Sequence, residues 1–218
     1  MAKLDSYLIE NKFRQIASFI DAGSHVFDMG CGEGQLAPVL TGKGCRVDGM
    51  DINIRRMTAS RSHYKNLYEG NIETFAFDQH AHQYDVVVLA DVLEHLQAPE
   101  KVLETSRALL KDKGKVLISL PNVAYYSNRM GLLFGRWEYQ DEGILDRTHL
   151  RFFTLRTGRE FIETNGYDVS EMVPEMPVIS SKWKRLIFSF ACHQWPSLFA
   201  IGWVIEARPE KKHPLSSS

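Results

Sequence analysis

The stretch Val26-Phe27-Asp28-Met29-Gly30-Cys31-Gly32-Glu33-Gly34, followed about twenty residues later by Asp51 at the end of a second apolar run, leaves this chain few architectures. Residues 25 to 31 are apolar and β-branched enough for a buried strand. The glycines that follow permit a tight turn in which backbone can approach a ligand closely. A helix is expected to start near Gln35, so that its unpaired amide groups face the same ligand.

Strand and helix continue to alternate. Ile9, Phe13, Ile16 and Ile20 recur at helical spacing before Gly23, an amphipathic opening helix expected to cover the ligand side. Strands are expected near 25–30, 46–51, 66–71, 84–90 and 114–120, with helical stretches between them. One of these, 99–110, opens on Pro99, a residue suited to a first helical position. Residues 57 to 61 read as a surface helix. Thr154 is placed to cap a helix reaching Asn165 and ended by Gly166. Residues 167–173 and 198–207 read as two closing strands. This alternation predicts an α/β fold, a doubly wound parallel sheet with helices on both faces.

The turn also selects its ligand. A dinucleotide site has G-x-G-x-x-G and sets a pyrophosphate on the helix N-terminus, where an acidic residue would repel it. This chain has G-x-G-x-G, with Asp28 two residues before the first glycine and Glu33 inside the turn. Such an acidic surround suits a cationic ligand without phosphate, and S-adenosylmethionine carries a sulfonium and an ammonium. Asp51 is placed to accept hydrogen bonds from two ribose hydroxyls, and Ile52 to pack on the adenine face.

These residues closely resemble the class I S-adenosylmethionine-dependent methyltransferases. The likeness continues through Gly70-Asn71-Ile72-Glu73, through the run from Tyr84 to Leu96, and through Gly114-Lys115-Val116-Leu117-Ile118-Ser119-Leu120-Pro121. It implies a Rossmann-like sheet of seven strands, mostly parallel, with an antiparallel last strand and an antiparallel hairpin at the sheet edge. It further implies one methyltransferase domain over residues 1–209, with an insert at 122–153 forming the acceptor side and a polar, disordered tail at 210–218. The cofactor residues implied are Asp28, Gly30, Cys31, Gly32, Gly34, Asp51, Ile52, Asn71, Ile72 and Asp91.

Ligands of such sheets sit beyond the carboxyl ends of the strands, which directs attention to residues 91–95 and 122–153. Methyl transfer is an in-line displacement, so the protein mainly aligns a nucleophile and removes water. A hydroxyl becomes nucleophilic only as its proton leaves, and an imidazole is the apt acceptor for that proton. His149 is the leading candidate base, with Asp146 as orienting partner, and His95 is the second; the alternative for each is a structural histidine. The insert resembles that of small bacterial methyltransferases accompanying glycosyltransferases in surface-polysaccharide assembly and, more loosely, ubiquinone-pathway O-methyltransferases. Tyr125, Tyr126 and Trp137 offer flat faces for a pyranose, and Arg129 and Arg147 could hold a diphosphate; packing and a solvated face are the alternatives. The D-x-x-E-H spacing of Asp91, Glu94 and His95, with distant His149, resembles the metal site of small-RNA 2′-O-methyltransferases. A metal-free site is nonetheless expected, because that spacing also occurs in metal-free relatives.

With 26 basic and 27 acidic residues, and no concentrated basic run before residue 125, the chain lacks the footprint of a general nucleic-acid binder. Its three widely spaced cysteines and the absence of a signal-like or membrane-spanning run fit a soluble, cytoplasmic protein. Residues 180–190, basic then apolar, fit either packing against the last strand or an interfacial segment near a lipid-linked substrate. The expected function is S-adenosylmethionine-dependent O-methyl transfer to a hydroxyl of a sugar or glycan precursor. The alternatives are O- or N-methylation of a quinone precursor, phenol or small amine, and a non-catalytic cofactor-binding partner protein.

Overall fold

The computed structural model describes residues 12–57, 59–177, 179 and 181–210. Seven strands, β1 (His25–Met29), β2 (Arg46–Asp51), β3 (Asn66–Glu69), β4 (Tyr84–Ala90), β5 (Leu110–Pro121), β6 (Tyr167–Glu175) and β7 (Gly202–Pro209), form one sheet in the order β3-β2-β1-β4-β5-β7-β6. The pairs from β3 to β5 are parallel, and β7 runs antiparallel to both of its neighbours. The order of winding reverses between β1 and β4, which opens a crevice at their carboxyl ends.

Among the described residues the α-helices are α1 (Lys12–Ser18), α2 (Ala37–Thr41), α3 (Pro99–Leu109), α4 (Tyr126–Leu133), α5 (Leu155–Thr164), α6 (Lys182–Gln194) and α7 (Pro196–Phe199). Both faces of the sheet are buried, which is why residues 86–90 of β4 read as a continuous apolar run rather than an alternating one. Val87 and Leu89 join the cluster that contains Leu103 and Ile162, whereas Val86 and Val88 join the cluster of Ile16, Ile20, Leu36 and Leu40. Thr154 and Thr157 exchange bonds between side chain and backbone at the start of α5, which ends ahead of Gly166 at φ +78°.

Several boundaries differ from the expectations, each for a local reason. The helix after the glycine turn starts at Ala37 rather than Gln35 and stops at Thr41, short because Pro38 and Gly42 bracket it. In place of a helix at 57–61 there are two short 3₁₀ turns, Ile54–Arg56 and Ser60–His63, with Met57 buried between them; Thr58 lies outside the described residues. Residues 198–201 are not strand, since Pro196 starts α7 and β7 begins only at Gly202. Strands β6 and β7 pair antiparallel as expected, but α6 and α7 lie between them, so they are not a tight hairpin. Glu210, placed in the tail, donates its amide to Gly166 at 3.0 Å, and 211–218, like Ile9, lie outside the described residues. Cys31, Cys45 and Cys192 are buried and unpaired, and among the described residues no helix is long and apolar enough to cross a membrane.

Candidate functional site

The glycine turn closes the carboxyl end of β1 against β2: the amides of Gly30 and Cys31 both donate to the Met50 carbonyl, at 2.8 and 2.9 Å. Gly30, Gly32 and Gly34 have φ of +79°, +54° and +77°, values that a side chain would strain. A Cβ on Gly30 would lie 2.6 Å from Val92. On Gly32 it would meet no protein atom within 4 Å, because Gly32 faces a cavity of about 800 Å³. Asp28, Gly30, Cys31, Gly32, Asp51, Ile52, Asn71, Ile72 and Asp91 all line that cavity. Gly34 does not; it turns back toward Met57 and Ser60, and its place is to bend the chain.

The Asp51 carboxylate is nearly buried and accepts from the amides of Gly32 and Asn53, each at 2.9 Å, so the acid and the turn hold one another in register. Asp28 is buried and accepts from the Tyr64 hydroxyl at 2.7 Å; burial pushes its pKa up to about 6. Ile52 is 66% exposed, an apolar side chain standing at the cavity rim. Asn71 accepts from the Glu73 amide at 2.8 Å and caps its own turn. A glycine cradle open to space, an ordered carboxylate and an apolar rim side chain fit the shape and chemistry of an adenosyl cofactor. Gly32→Val is expected to abolish cofactor binding, since the side chain would enter the cavity while left-handed backbone costs about 1–2 kcal/mol. Normal affinity for S-adenosylhomocysteine in a folded variant would refute that placement.

A second cavity of about 310 Å³ adjoins the first and shares Asp91, His95 and Asp146 with it. Asp91 adopts φ +53°, unusual for a residue with a side chain, and Ser119 holds it there. The Ser119 oxygen accepts from the Asp91 amide at 2.9 Å and its hydroxyl donates to the carboxylate at 2.5 Å. The Lys12 ammonium pairs with Asp91 and lies 3.6 Å from Glu175. Glu94 is fully buried, and neither carboxyl oxygen has a hydrogen-bond partner; burial, reinforced by Asp91, holds its pKa well above the ordinary range. The Glu94 carbonyl accepts from the amides of Leu150 and Arg151, at 2.8 and 3.1 Å, which fastens the insert to the turn after β4.

That fastening brings two imidazoles together, with ring centroids 4.6 Å apart. His149 Nδ1 lies 3.1 Å from the Ile144 carbonyl, so this nitrogen carries the proton and Nε2 the lone pair. Burial, then neighbouring His95, lowers the His149 pKa and keeps the ring neutral at neutral pH. Asp146 is not its orienting partner, contrary to expectation. Its carboxylate accepts from both the amide and the hydroxyl of Thr148, each at 2.7 Å, and the same Thr148 oxygen lies 3.0 Å from His95 Nδ1. A hydroxyl already donating to Asp146 can only accept from that nitrogen, so Asp146 orients His95 through Thr148. Glu94, His95 and His149 offer one ligand-type atom each within 4.8 Å of one another, a spacing that could hold a divalent ion.

The expected aromatic and basic platform is not gathered around either cavity. The buried Asn122 amide donates to the carbonyls of Ser197 and Ala200, at 3.1 and 2.8 Å, and directs α4 alongside α6 and α7. Tyr125 and Tyr126 therefore pack on one another at 4.7 Å, in a groove with Trp183 and Ile187. Arg129 donates to the carbonyls of Ala124 and Ser197, Trp137 meets Phe152 edge-on at 5.5 Å, and Arg147 pairs with Asp141 at 2.8 Å. Sequence reasoning missed Lys12, Ser119, Thr148 and Glu175. Only Thr148, between Asp146 and His149, carried a local signal; Glu175 arrives through strand order alone.

Against known proteins, residues 1–172 match a family described as a methyltransferase domain. The chain is 33% identical over 106 residues to the ubiquinone biosynthesis O-methyltransferase of Citrobacter koseri, covering 46% of this chain and 43% of that protein. It spans less than half the length of the curated relatives it matches. A SAM-dependent methyltransferase structure from Archaeoglobus fulgidus superposes with a TM-score of 0.63 at 17% identity, covering 93% of both chains. Another, from Mesorhizobium loti, gives 0.61 at 12% identity, covering 89% of this chain and 96% of that one.

Proposed function

Because this chain belongs to the methyltransferase-domain family, with S-adenosylmethionine as its cofactor, we propose that it methylates a hydroxyl oxygen of a small acceptor seated in the second cavity. The observation that supports this most is the pair of imidazoles facing a small cavity that opens onto the cofactor cavity at Asp91, His95 and Asp146. When bound, the cofactor supplies an electrophilic methyl on a positively charged sulfur. Asp51 and the glycine turn hold the adenosyl portion, and Asp91, fixed by Ser119, stands between the two cavities. His149 Nε2 takes the proton that the acceptor hydroxyl sheds, with His95 binding the acceptor beside it.

The acceptor we favour is a sugar or glycan precursor. Lys12, His95, Glu142, Asp146 and His149 give the cavity walls hydrogen-bonding groups in several directions, which suits a polyhydroxylated ring. A phenolic acceptor is the second reading, drawn from the printed name of the curated relatives. Release of S-adenosylhomocysteine should be measured with nucleotide sugars and with phenols as separate acceptor sets. Turnover on phenols alone would overturn the sugar reading, and turnover on amines alone would overturn both.

We assign the imidazoles to acceptor chemistry rather than to a metal. Lys12 already pairs with Asp91 and lies 3.6 Å from Glu175, so a side-chain cation balances both of these carboxylates. Turnover is expected to persist in EDTA and to stay flat on adding magnesium or manganese. Loss on chelation with recovery by either ion would transfer Glu94, His95 and His149 to a metal site.

A further inference from the structure

Ten of the thirteen large apolar side chains exposed among the described residues lie within 126–134 and 183–195. Scattered exposed apolar residues are ordinary, but this concentration is a patch. Trp183, Leu186, Ile187 and Phe190 recur at i, i+3, i+4 and i+7, one stripe of α6, and are 61 to 71% exposed. A stripe of this kind normally packs on the sheet. Here the helix is anchored from its other side by Cys192, which is fully buried, and by Phe188, which meets Phe199 at 5.5 Å. Helix α4 continues the surface: it buries none of its residues, and Met130, Leu133 and Phe134 stand exposed. Tyr126 reaches Phe199 at 5.8 Å, and a groove lined by Tyr126, Pro177, Trp183 and Ile187 joins the two helices.

Charge narrows the occupant. No aspartate or glutamate occurs from residue 176 to 205 or from 113 to 137, whereas Lys182, Lys184 and Arg185 open α6 and Arg129 and Arg136 flank the α4 segment. Two copies joined by a two-fold axis through these two segments would set net positive charge against net positive charge. A surface of anionic headgroups over hydrocarbon meets both the cations and the apolar stripe, and tryptophans such as Trp183 and Trp195 favour that boundary. The chain enters α4 from the end of β5 and leaves α7 for the start of β7, and Pro121 and Ile201 at those two strand ends are part of the wall of the second cavity.

We propose that the face formed by α4 and α6 is a peripheral docking surface for an anionic lipid bilayer, with α6 lying in the plane of the headgroups. Docking there would bring the mouth of the acceptor cavity to the membrane surface, where a lipid-linked acceptor presents its polar end. The test is co-sedimentation of the whole protein with vesicles of phosphatidylcholine alone or mixed with phosphatidylglycerol, without acceptor or turnover. Binding is expected to be at least tenfold stronger on the anionic vesicles, to weaken with salt, and to shift tryptophan emission to the blue. The paired substitution Leu186→Glu with Phe190→Glu should lower it at least tenfold while cofactor affinity is unchanged, because neither residue lines either cavity. No binding to anionic vesicles at low salt, or equal binding by the substituted protein, would overturn the proposal. So would self-association through this face without vesicle binding. Because the readout uses no acceptor, it stands or falls separately from the methylation chemistry.

Discussion

His149→Ala is expected to lower turnover by about a hundred- to ten-thousand-fold, the usual contribution of a positioned proton acceptor, while leaving cofactor affinity nearly intact. The two effects separate because His149 lines the second cavity and not the first. Loss of mere support for the insert would instead lower thermal stability and both kinetic parameters together, so melting temperature is measured alongside. His95→Ala should raise the apparent KM for acceptor more than it lowers turnover, since His95 borders both cavities, whereas His149 lines the second alone. The pH profile gives a further check. A protonated imidazole cannot take a proton, so turnover must fall as the pH drops through the His149 pKa. Burial and His95 depress that pKa below the ordinary imidazole value of 6.5, which places the acid limb below that pH. A folded His149→Ala protein that binds cofactor and turns over at the wild-type rate would remove His149 from the reaction.

Asp51→Ala should cost the protein most of its cofactor affinity. Hydrogen bonds to a charged acceptor contribute about 1.5–3 kcal/mol each, and two ribose hydroxyls would be released, so the dissociation constant should rise roughly a hundredfold or more. The same carboxylate also accepts from the amides of Gly32 and Asn53, and its removal loosens the cradle as well as the ribose contact. Asp51→Asn keeps an acceptor of nearly the same shape and should lose less. Calorimetric titration with S-adenosylhomocysteine distinguishes these outcomes, and unchanged affinity in Asp51→Ala would sever Asp51 from the cofactor.

The glycine turn and the cavity it opens onto were legible in the sequence because their determinants are local. A strand, three glycines and an aspartate at the next strand end report their own backbone geometry, and nine of the ten residues so named line one cavity. The sheet itself was legible for the same reason: apolar runs of strand length separated by helical stretches leave few ways to wind. The surroundings of the second cavity were not. Tyr125, Tyr126 and Trp137 suggested a sugar platform by residue type, but where an aromatic faces depends on what the chain packs against after the strand. That direction was decided by the Asn122 amide, bonded to carbonyls some 75 residues away at Ser197 and 78 away at Ala200.

Asp146 illustrates the same limit at shorter range. Its spacing to His149 suggested a direct bond, yet the intervening Thr148 takes the carboxylate and passes its orientation to His95, whose position comes from the turn after β4. Lys12 and Glu175, 163 residues apart, meet at the cavity wall only because α1 and the end of β6 both reach the carboxyl edge of the sheet. The amino-acid order therefore determined the winding of the sheet and the glycine turn, since both rest on contacts within a few residues or on strand periodicity. Tertiary packing alone decided the second cavity and the exposed stripe of α6. Both depend on which buried polar groups distant segments satisfy for one another, and no periodicity in the chain encodes that.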